Sequence, residues 1–580
     1  LLSRAARSRI CPESLSIRTG IVVVLLWIAI QPASALAHHY FFPQVRDRIK
    51  LQVETEIHQH GYTCRGEIIC GLQTIPIFYQ NRDFAPQWFG AEGLRPSAWT
   101  LVEAIRNADR EGLNPEDYHL EAIEQALHEL SGKAFPPDGS KAHRWADLDL
   151  MLTDAYLLLG SHLSGGRINP ENLHADWLLT PRSMELAYLL GHTDSPAQLA
   201  HLLNGLKPRH KGYQDLLTAL HDLQEISSRG GWPQVRTERI LKPGDLDAGI
   251  TTLRERLRLS GDLLCAETPA PPEIYDPALV SAVEKFQQRH GLNPDGVIGP
   301  KTIDTMNVTV VQRIRQIDLN LERWRWLPRD LGDRYIIINT AAFRLSVMDH
   351  GRETMAMRVV VGRPARQSPV FSADLTYMVL NPYWNVPRKL AVEDILPKAK
   401  KDAGYLIDHK FKVFEGWDAD AQELDPRSIQ WAAYSEHSFP FWLRQEPGRE
   451  NALGRIKFMF PNRFAVYLHD TPQKSLFARA QRDFSSGCIR VEQAYALADY
   501  LLSDDPHWTP KKLRKTIEKE RQSVVHLAHP IPVHLQYMTA WVDPDGTLQF
   551  REDIYQRDEK LDHALRNRTP YPLPPLAASR

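Results

Sequence analysis

The apolar residues of this chain change their spacing near residue 330, and that change bounds the folds open to it. From Ile75 to Trp326 they recur three and four residues apart, the period of helices that bury one face. Trp99, Leu101, Val102, Ile105 and Ala108 form one such stripe, stopped by Gly112-Leu113-Asn114-Pro115. Leu148, Leu152, Ala155, Tyr156 and Leu159 form another between Trp145 and Leu163, ended by Gly165-Gly166. Further helices are expected over Ser195 to Leu206 and after Tyr213. From Tyr335 the apolar residues come as short β-branched runs instead: Tyr335 to Asn339, Arg344 to Val347, Met355 to Val361, Leu375 to Leu380, Arg455 to Met459 and Phe464 to Leu468. A chain of 580 residues is too long for one core. The switch therefore reads as helical units followed by a mainly antiparallel β domain.

Residues 38–74 precede the first clear stripe and show no evident period. The aromatics of 75–240 read as core of an α-helical domain. Gly230-Gly231-Trp232-Pro233 and Lys242-Pro243-Gly244 read as linkers. A compact helical unit then spans 245–310, where Asp276 is expected to cap a helix carrying Leu279, Val280, Val283 and Phe286. A helix over Val311 to Trp326 leads into the β domain, expected at 333–510. About 388–452 interrupts that domain at a length too great for a plain loop. A helix over Ile395 to Lys401 and the aromatics Trp417, Trp431, Phe439, Phe441 and Trp442 mark it as an insertion with helical content. Those aromatics are either a cover for a site or the insertion's own core. Residues 511–580 are expected to carry a terminal hairpin, with Val533 to Val542 against Leu548 to Phe550 around Asp543-Pro544-Asp545-Gly546, and a Pro-rich tail after Arg568.

The chemistry concentrates at Tyr467-Leu468-His469-Asp470-Thr471 and Ser485-Ser486-Gly487-Cys488-Ile489-Arg490. A free thiol titrates near 8.5, so a cysteine nucleophile at neutral pH needs a neighbouring base, and histidine is the usual one. Gly487 permits a sharp turn, so the N–H groups of Gly487 and Cys488 are candidates to hold the oxyanion formed at an attacked carbonyl. Cys488 is the candidate nucleophile and His469 the candidate general base and acid. Tyr467 alternates with His469 on one strand face and borders the same pocket. Asp470, adjacent in the strand, is expected to point away. Arg490 has the planar fork that suits a carboxylate, or it pins the cysteine turn. Ser486 adjoins the turn. The helix expected from Val491 to Leu502 offers its N-terminal dipole to the thiolate.

Two of these stretches resemble a known family. His-Asp-Thr followed by Ser-Ser-Gly-Cys-Ile-Arg is similar to the active-site signature of the L,D-transpeptidases with a YkuD-type catalytic domain. The string Phe286-Gln287-Gln288-Arg289-His290-Gly291-Leu292, with Asp295-Gly296-Val297-Ile298-Gly299-Pro300-Lys301-Thr302, resembles the small peptidoglycan-binding repeat of wall enzymes. Asn381-Pro382-Tyr383-Trp384-Asn385 resembles a segment of the large, lid-bearing subgroup. That makes Trp384 a candidate wall of the site and 388–452 a lid. The resemblance implies a multidomain α+β protein: an α-helical scaffold domain, a small helical peptidoglycan-binding domain, and a mainly antiparallel β catalytic domain with a helical lid insertion. It also implies a reaction. Cys488 takes the acyl group of a stem tetrapeptide as a thioester, and a diaminopimelate amine of a second stem receives it in a 3→3 cross-link. Smaller members carry Gly after the motif histidine and His before the Gly-Cys pair; here those places hold Asp470 and Ser486, which leaves open what orients His469. No cofactor is implied. Peptidoglycan synthases are possible partners.

The remaining features limit the alternatives. A net charge of −1 gives no electrostatic argument for nucleic acid. Arg4, Arg7, Arg9 and Arg18, the apolar run Ile21 to Ile30 and Ala33-Ser34-Ala35-Leu36-Ala37 have the layout of a cleavable export signal over 1–37, pointing to the periplasm of a Gram-negative bacterium. No later stretch reads as a membrane span. Of the five cysteines, Cys11 lies in the signal, Cys64 and Cys70 either bridge or stay free, and Cys265 and Cys488 are unpaired. No spacing suggests a metal site. Other functions open on the same motifs are an L,D-carboxypeptidase, a cross-link hydrolase, or a wall-binding scaffold without catalysis.

Overall fold

The structure is a computed structural model, and it describes residues 33–57, 62–90, 93–130, 141–170, 177–178, 186–237, 239–264, 271–416 and 420–567. Cys11, Cys265, Trp417, the tail after Arg568 and most of the expected export signal lie outside the described residues. Among the described residues no helix is long and apolar enough to cross a membrane.

The described residues pack around four apolar clusters, and these cut the sequence differently from its periods. The first joins Phe41, Val45, Ile49, Val53 and Ile57 to the helices up to Leu206. This overturns the expectation that 38–74 carries no period. Helix α1 (Ala33–Leu51) continues into a π turn at Gln52–Glu56 and packs on α2 (Ala142–Gly165). The five buried residues repeat every four positions. That repeat drifts around a 3.6-residue helix, and the wider π turn takes up part of the drift. Trp99 is a second correction: it starts the expected stripe yet is 48% exposed. Trp88, Phe89, Tyr79 and Phe78 are buried as core. Cys64 and Cys70 are free thiols, so no bridge closes their loop.

Helix α3 (Lys211–Ser228) follows the scaffold in sequence but buries Tyr213, Leu216, Leu217, Leu220 and Leu223 in the core of the β domain. It packs along α4 (Val310–Trp326). Gly212 permits the close approach, because a Cβ there would lie 2.5 Å from the Trp324 ring. The small unit between them closes around Leu253, Leu257, Leu279, Val283, Phe286 and Ile298. As expected, Asp276 caps its helix Pro277–Arg289, accepting from the N–H groups of Ala278 and Leu279.

The β domain is built from β1 (Arg334–Asn339), β2 (Arg344–Asp349), β3 (Arg352–Gly362), β4 (Val370–Leu380), β5 (Ile456–Met459), β6 (Leu468–His469), β7 (Asp483–Ser485), β8 (Ile489–Val491) and β9 (Ser523–Gln536). Their order is β5-β6-β8-β3-β2-β1-β9-β4, and β4 pairs again with β5, so the ladder closes on itself. Closure leaves no long open edge. Strand β9 corrects the expected terminal hairpin. It runs antiparallel to β4 and parallel to β1, inside the main sheet, and the hairpin itself is only Ala540–Val542 with Leu548–Phe550. Pro530 and Pro532, with a register shift between His526 and Ile531, hid the strand's alternation.

The insertion is also less helical than expected. Trp384–Asn385, Phe411–Glu415, Glu423–Leu424 and Phe441–Gln445 form a four-stranded sheet beside its short helices. Trp431, Phe439, Phe441, Leu443 and Val413 fill the insertion's own core.

Candidate active site

Three neighbouring strands set the site. β5 and β6 are antiparallel with Lys457 opposite His469; β6 and β8 are parallel with His469 opposite Arg490. Paired residues share a face, as do residues two apart on one strand. Lys457, Tyr467, His469, Cys488 and Arg490 therefore stand on one face, and Ile456, Phe458, Leu468 and Ile489 fill the core behind them. Of the expected residues, the fold brings together Tyr467, His469, Cys488 and Arg490.

His469 is buried. Its Nδ1 lies 2.5 Å from the main-chain oxygen of Asp470, so Nδ1–H donates there and Nε2 is left as the acceptor. The orienting group is thus a carbonyl rather than a carboxylate. The Asp470 side chain points the other way, as expected: it accepts from the Arg455 N–H at 2.9 Å and from Lys474 Nζ at 2.6 Å. Gly454 allows this, with φ +62° and room for no Cβ against that carboxylate. Burial, with the cations of Arg490 and Lys457 nearby, depresses His469 to about 3.

Cys488 is half-buried. Burial raises its thiol above the ordinary value, while the N–H and hydroxyl of Tyr467, then Lys457 and Arg490, pull it back. The Tyr467 ring lies 5.7 Å from that of His469, edge-on. Lys457 Nζ sits 3.8 Å over the Tyr467 ring, and burial lowers its pKa. Sequence reasoning missed Lys457. The available signal was one lysine within Ile456-Lys457-Phe458-Met459, where strand alternation puts it opposite the core residues.

The cysteine turn is held from below. Ser485 Oγ donates to the Cys488 carbonyl at 2.5 Å and accepts from the Gly487 N–H at 3.2 Å. The Gly487 N–H is therefore engaged here, and among the described residues the Cys488 N–H has no partner. Gly487 has φ +111°, a conformation that favours glycine. The helix expected from Val491 begins at Ala494, beyond strand β8, so Cys488 is not at its N-terminus. Ser486 is exposed and its Oγ accepts from Arg366 Nη1 at 2.7 Å. Arg490 Nη1 donates to Gln473 Oε1 at 2.7 Å. Trp384 pairs with Gln445 in the insertion sheet, with its ring 6.0 Å from that of Phe411.

A scan against family models matches three stretches: "L,D-transpeptidase catalytic domain" (YkuD) over 333–513, "Scaffold domain" over 73–220, and "Putative peptidoglycan binding domain" over 247–306. A protein of Haemophilus influenzae named "Putative L,D-transpeptidase" is 35% identical over 250 residues, 43% of this chain and 49% of that protein. The match thus spans about half the length of this curated relative. Among solved structures, an L,D-transpeptidase from Mycobacterium smegmatis is 12% identical, covering 35% of this chain and 58% of its own, at TM-score 0.17. L,D-transpeptidase 3 from Mycobacterium tuberculosis, in complex with a faropenem-derived adduct, is 14% identical over 35% and 60%, at TM-score 0.16. At these TM-scores the two structural likenesses carry no weight; the three domain matches and the relative do. In chain order, this protein therefore matches a scaffold domain, a peptidoglycan-binding domain and a YkuD-type L,D-transpeptidase catalytic domain.

Proposed function

We propose that this protein forms 3→3 cross-links between peptidoglycan stems through a thioester on Cys488. The observation that carries the reading is the shared face of Tyr467, His469 and Cys488 on adjoining strands. The Cys488 thiol attacks the carbonyl of the third residue of a tetrapeptide stem, giving its proton to His469 Nε2. The Cys488 N–H steadies the oxyanion. Because burial and two cations disfavour the imidazolium, His469 passes the proton promptly to the leaving amine, and the terminal D-alanine departs. An amine of a second stem, the diaminopimelate side chain, then attacks the thioester and frees the thiol. Arg490 binds a donor carboxylate, and Tyr467 and Ser486 border the donor channel. Trp384 serves the lid sheet, and the unit at 247–306 keeps the enzyme on its polymer. This chemistry requires an address outside the cytoplasm, the periplasm by the signal-like start.

The test is incubation with purified tetrapeptide muropeptides. Expected products are free D-alanine and 3→3 dimers, with an acyl adduct mapped to Cys488. Cys488→Ala should make neither. Trimmed monomers without dimers would assign a carboxypeptidase, and wild-type turnover by Cys488→Ala would remove the thiol from the mechanism.

A further inference from the structure

The row Lys457–His469–Arg490 crosses three adjacent strands on the face that carries Cys488. It places a buried imidazole between two cations. Neither cation is neutralised: among the described residues neither Lys457 nor Arg490 has a carboxylate partner. The nearest acid in sequence, Asp470, is turned to Arg455 and Lys474 on the opposite face. Lys457 has its contact over the Tyr467 ring, and both cations lie near enough to Cys488 to favour its thiolate, an anion that acylation removes. Arg490 spends one nitrogen on Gln473, and its buried Nε has no hydrogen-bond partner. Two half-buried cations held about two strand spacings apart, roughly 10 Å, repel each other and lose hydration without a return. Folding tolerates such an arrangement where an anion arrives later.

We propose that Lys457 and Arg490 form a carboxylate clamp over His469, so that Cys488 is acylated selectively by donors carrying a carboxylate close to the scissile amide. The proposal deepens the reading of Cys488 as nucleophile and rests on it. Lys457 is thereby a specificity-determining residue. A bound carboxylate between them offsets one of the two positive charges, which also weakens the repulsion that disfavours a proton on His469. An anionic donor thus improves its own general base, while a neutral amide meets a base still flanked by two cations. The clamp discriminates by charge, so it binds peptide and small reagent alike.

The experiment compares two alkylating agents of nearly equal size on the full chain, iodoacetate and iodoacetamide. In each the thiol sulfur displaces iodide to form a thioether, and its proton leaves to solvent. Rates are read at Cys488 by peptide mass mapping, since Cys64 and Cys70 are also free. The iodoacetate to iodoacetamide rate ratio at Cys488 is expected to exceed that of a small free thiol by about tenfold. Lys457→Met should return it towards that value, and Lys457→Arg should keep most of it. A wild-type ratio equal to the small thiol's, or one unchanged in Lys457→Met, overturns the clamp and leaves the nucleophile reading standing. No labelling of Cys488 by either reagent overturns the nucleophile reading itself, and the clamp with it. With stem tetrapeptides, amidating the terminal carboxyl or the third residue's side-chain carboxyl identifies the carboxylate held; acylation undiminished with both amidated overturns the clamp.

Discussion

Ser368 Oγ donates to the carbonyl oxygen of Gly487 at 2.8 Å, and it accepts from the Gly362 N–H at 3.0 Å. Ser368 is fully buried and more than a hundred residues from Gly487 in sequence. The bond fixes the peptide between Gly487 and Cys488, and in a trans peptide the N–H points opposite to the carbonyl. The Cys488 N–H is thereby turned away from Ser368. Ser368→Ala should leave one buried donor and one buried acceptor unpaired, at about 1–3 kcal/mol each. Thermal unfolding should register the loss. Acylation of Cys488 should slow more than substrate binding weakens.

The turn bearing Ser368 also reaches the insertion. Arg366 bonds Ser486 and pairs with Glu393 and Asp394 of the insertion, the latter at 3.2 Å; Arg363 lies 3.7 Å from Asp394. One side chain thus ties the insertion to the cysteine turn. Arg366→Ala should raise hydrogen exchange over 388–401 while the β1–β3 amides stay protected. Unchanged exchange there would show that the pairs contribute nothing to holding the insertion.

In the scaffold, His119 stands between two carboxylates, with Nε2 2.8 Å from Asp154 and Nδ1 3.1 Å from Glu67. Burial pulls its pKa down, but the bonds to Asp154 and Glu67 outweigh it and the net shift is upward. A raised folded pKa stabilises the fold below the unfolded value of about 6.5, and that gain is lost as pH rises through the folded pKa. Denaturant unfolding of wild type and His119→Gln should differ most near pH 6. The gap should narrow towards pH 9. A gap that widens with pH would reverse the sign.

A carbapenem presents a strained carbonyl to any accessible activated thiol, so intact-mass analysis should find one adduct, at Cys488. Burial pushes Cys64 far up and Cys70 up to about 12, which keeps both thiols protonated. Cys488→Ala should carry no adduct. An adduct on Cys64 or Cys70 instead would count against the site.

The family match ends at residue 513, yet β9 lies beyond it, between β1 and β4. The same C-terminal region braces the Ser368 turn: Tyr555 bonds the Gly362 carbonyl, and Arg557 donates to Gln367 Oε1 at 3.2 Å. A chain ending at 513 should leave the hydrogen-bonding edges of β1 and β4 unpaired and fail to give soluble, cooperatively unfolding protein. A folded, active truncation would contradict the closed ladder.

The sequence by itself determined the local pieces. A histidine on a strand, a cysteine after Ser-Ser-Gly and the change from helical to strand spacing are patterns written within a dozen residues, where backbone preference and side-chain period suffice. Even there two local signals were missed: the four-residue repeat from Phe41 to Ile57, whose drift from the ideal helix obscured it, and β9, whose prolines broke its alternation. The tertiary structure alone decided the partners. Lys457 became a neighbour of His469 through strand register, the Gly487 N–H was claimed by Ser485, and Ser368, Arg366 and Tyr555 reached the cysteine turn from far along the chain. Trp384 was paired into the insertion's sheet, opposite Gln445. Register and closure are set by pairings between distant segments, and no local pattern encodes which strand lies next to which.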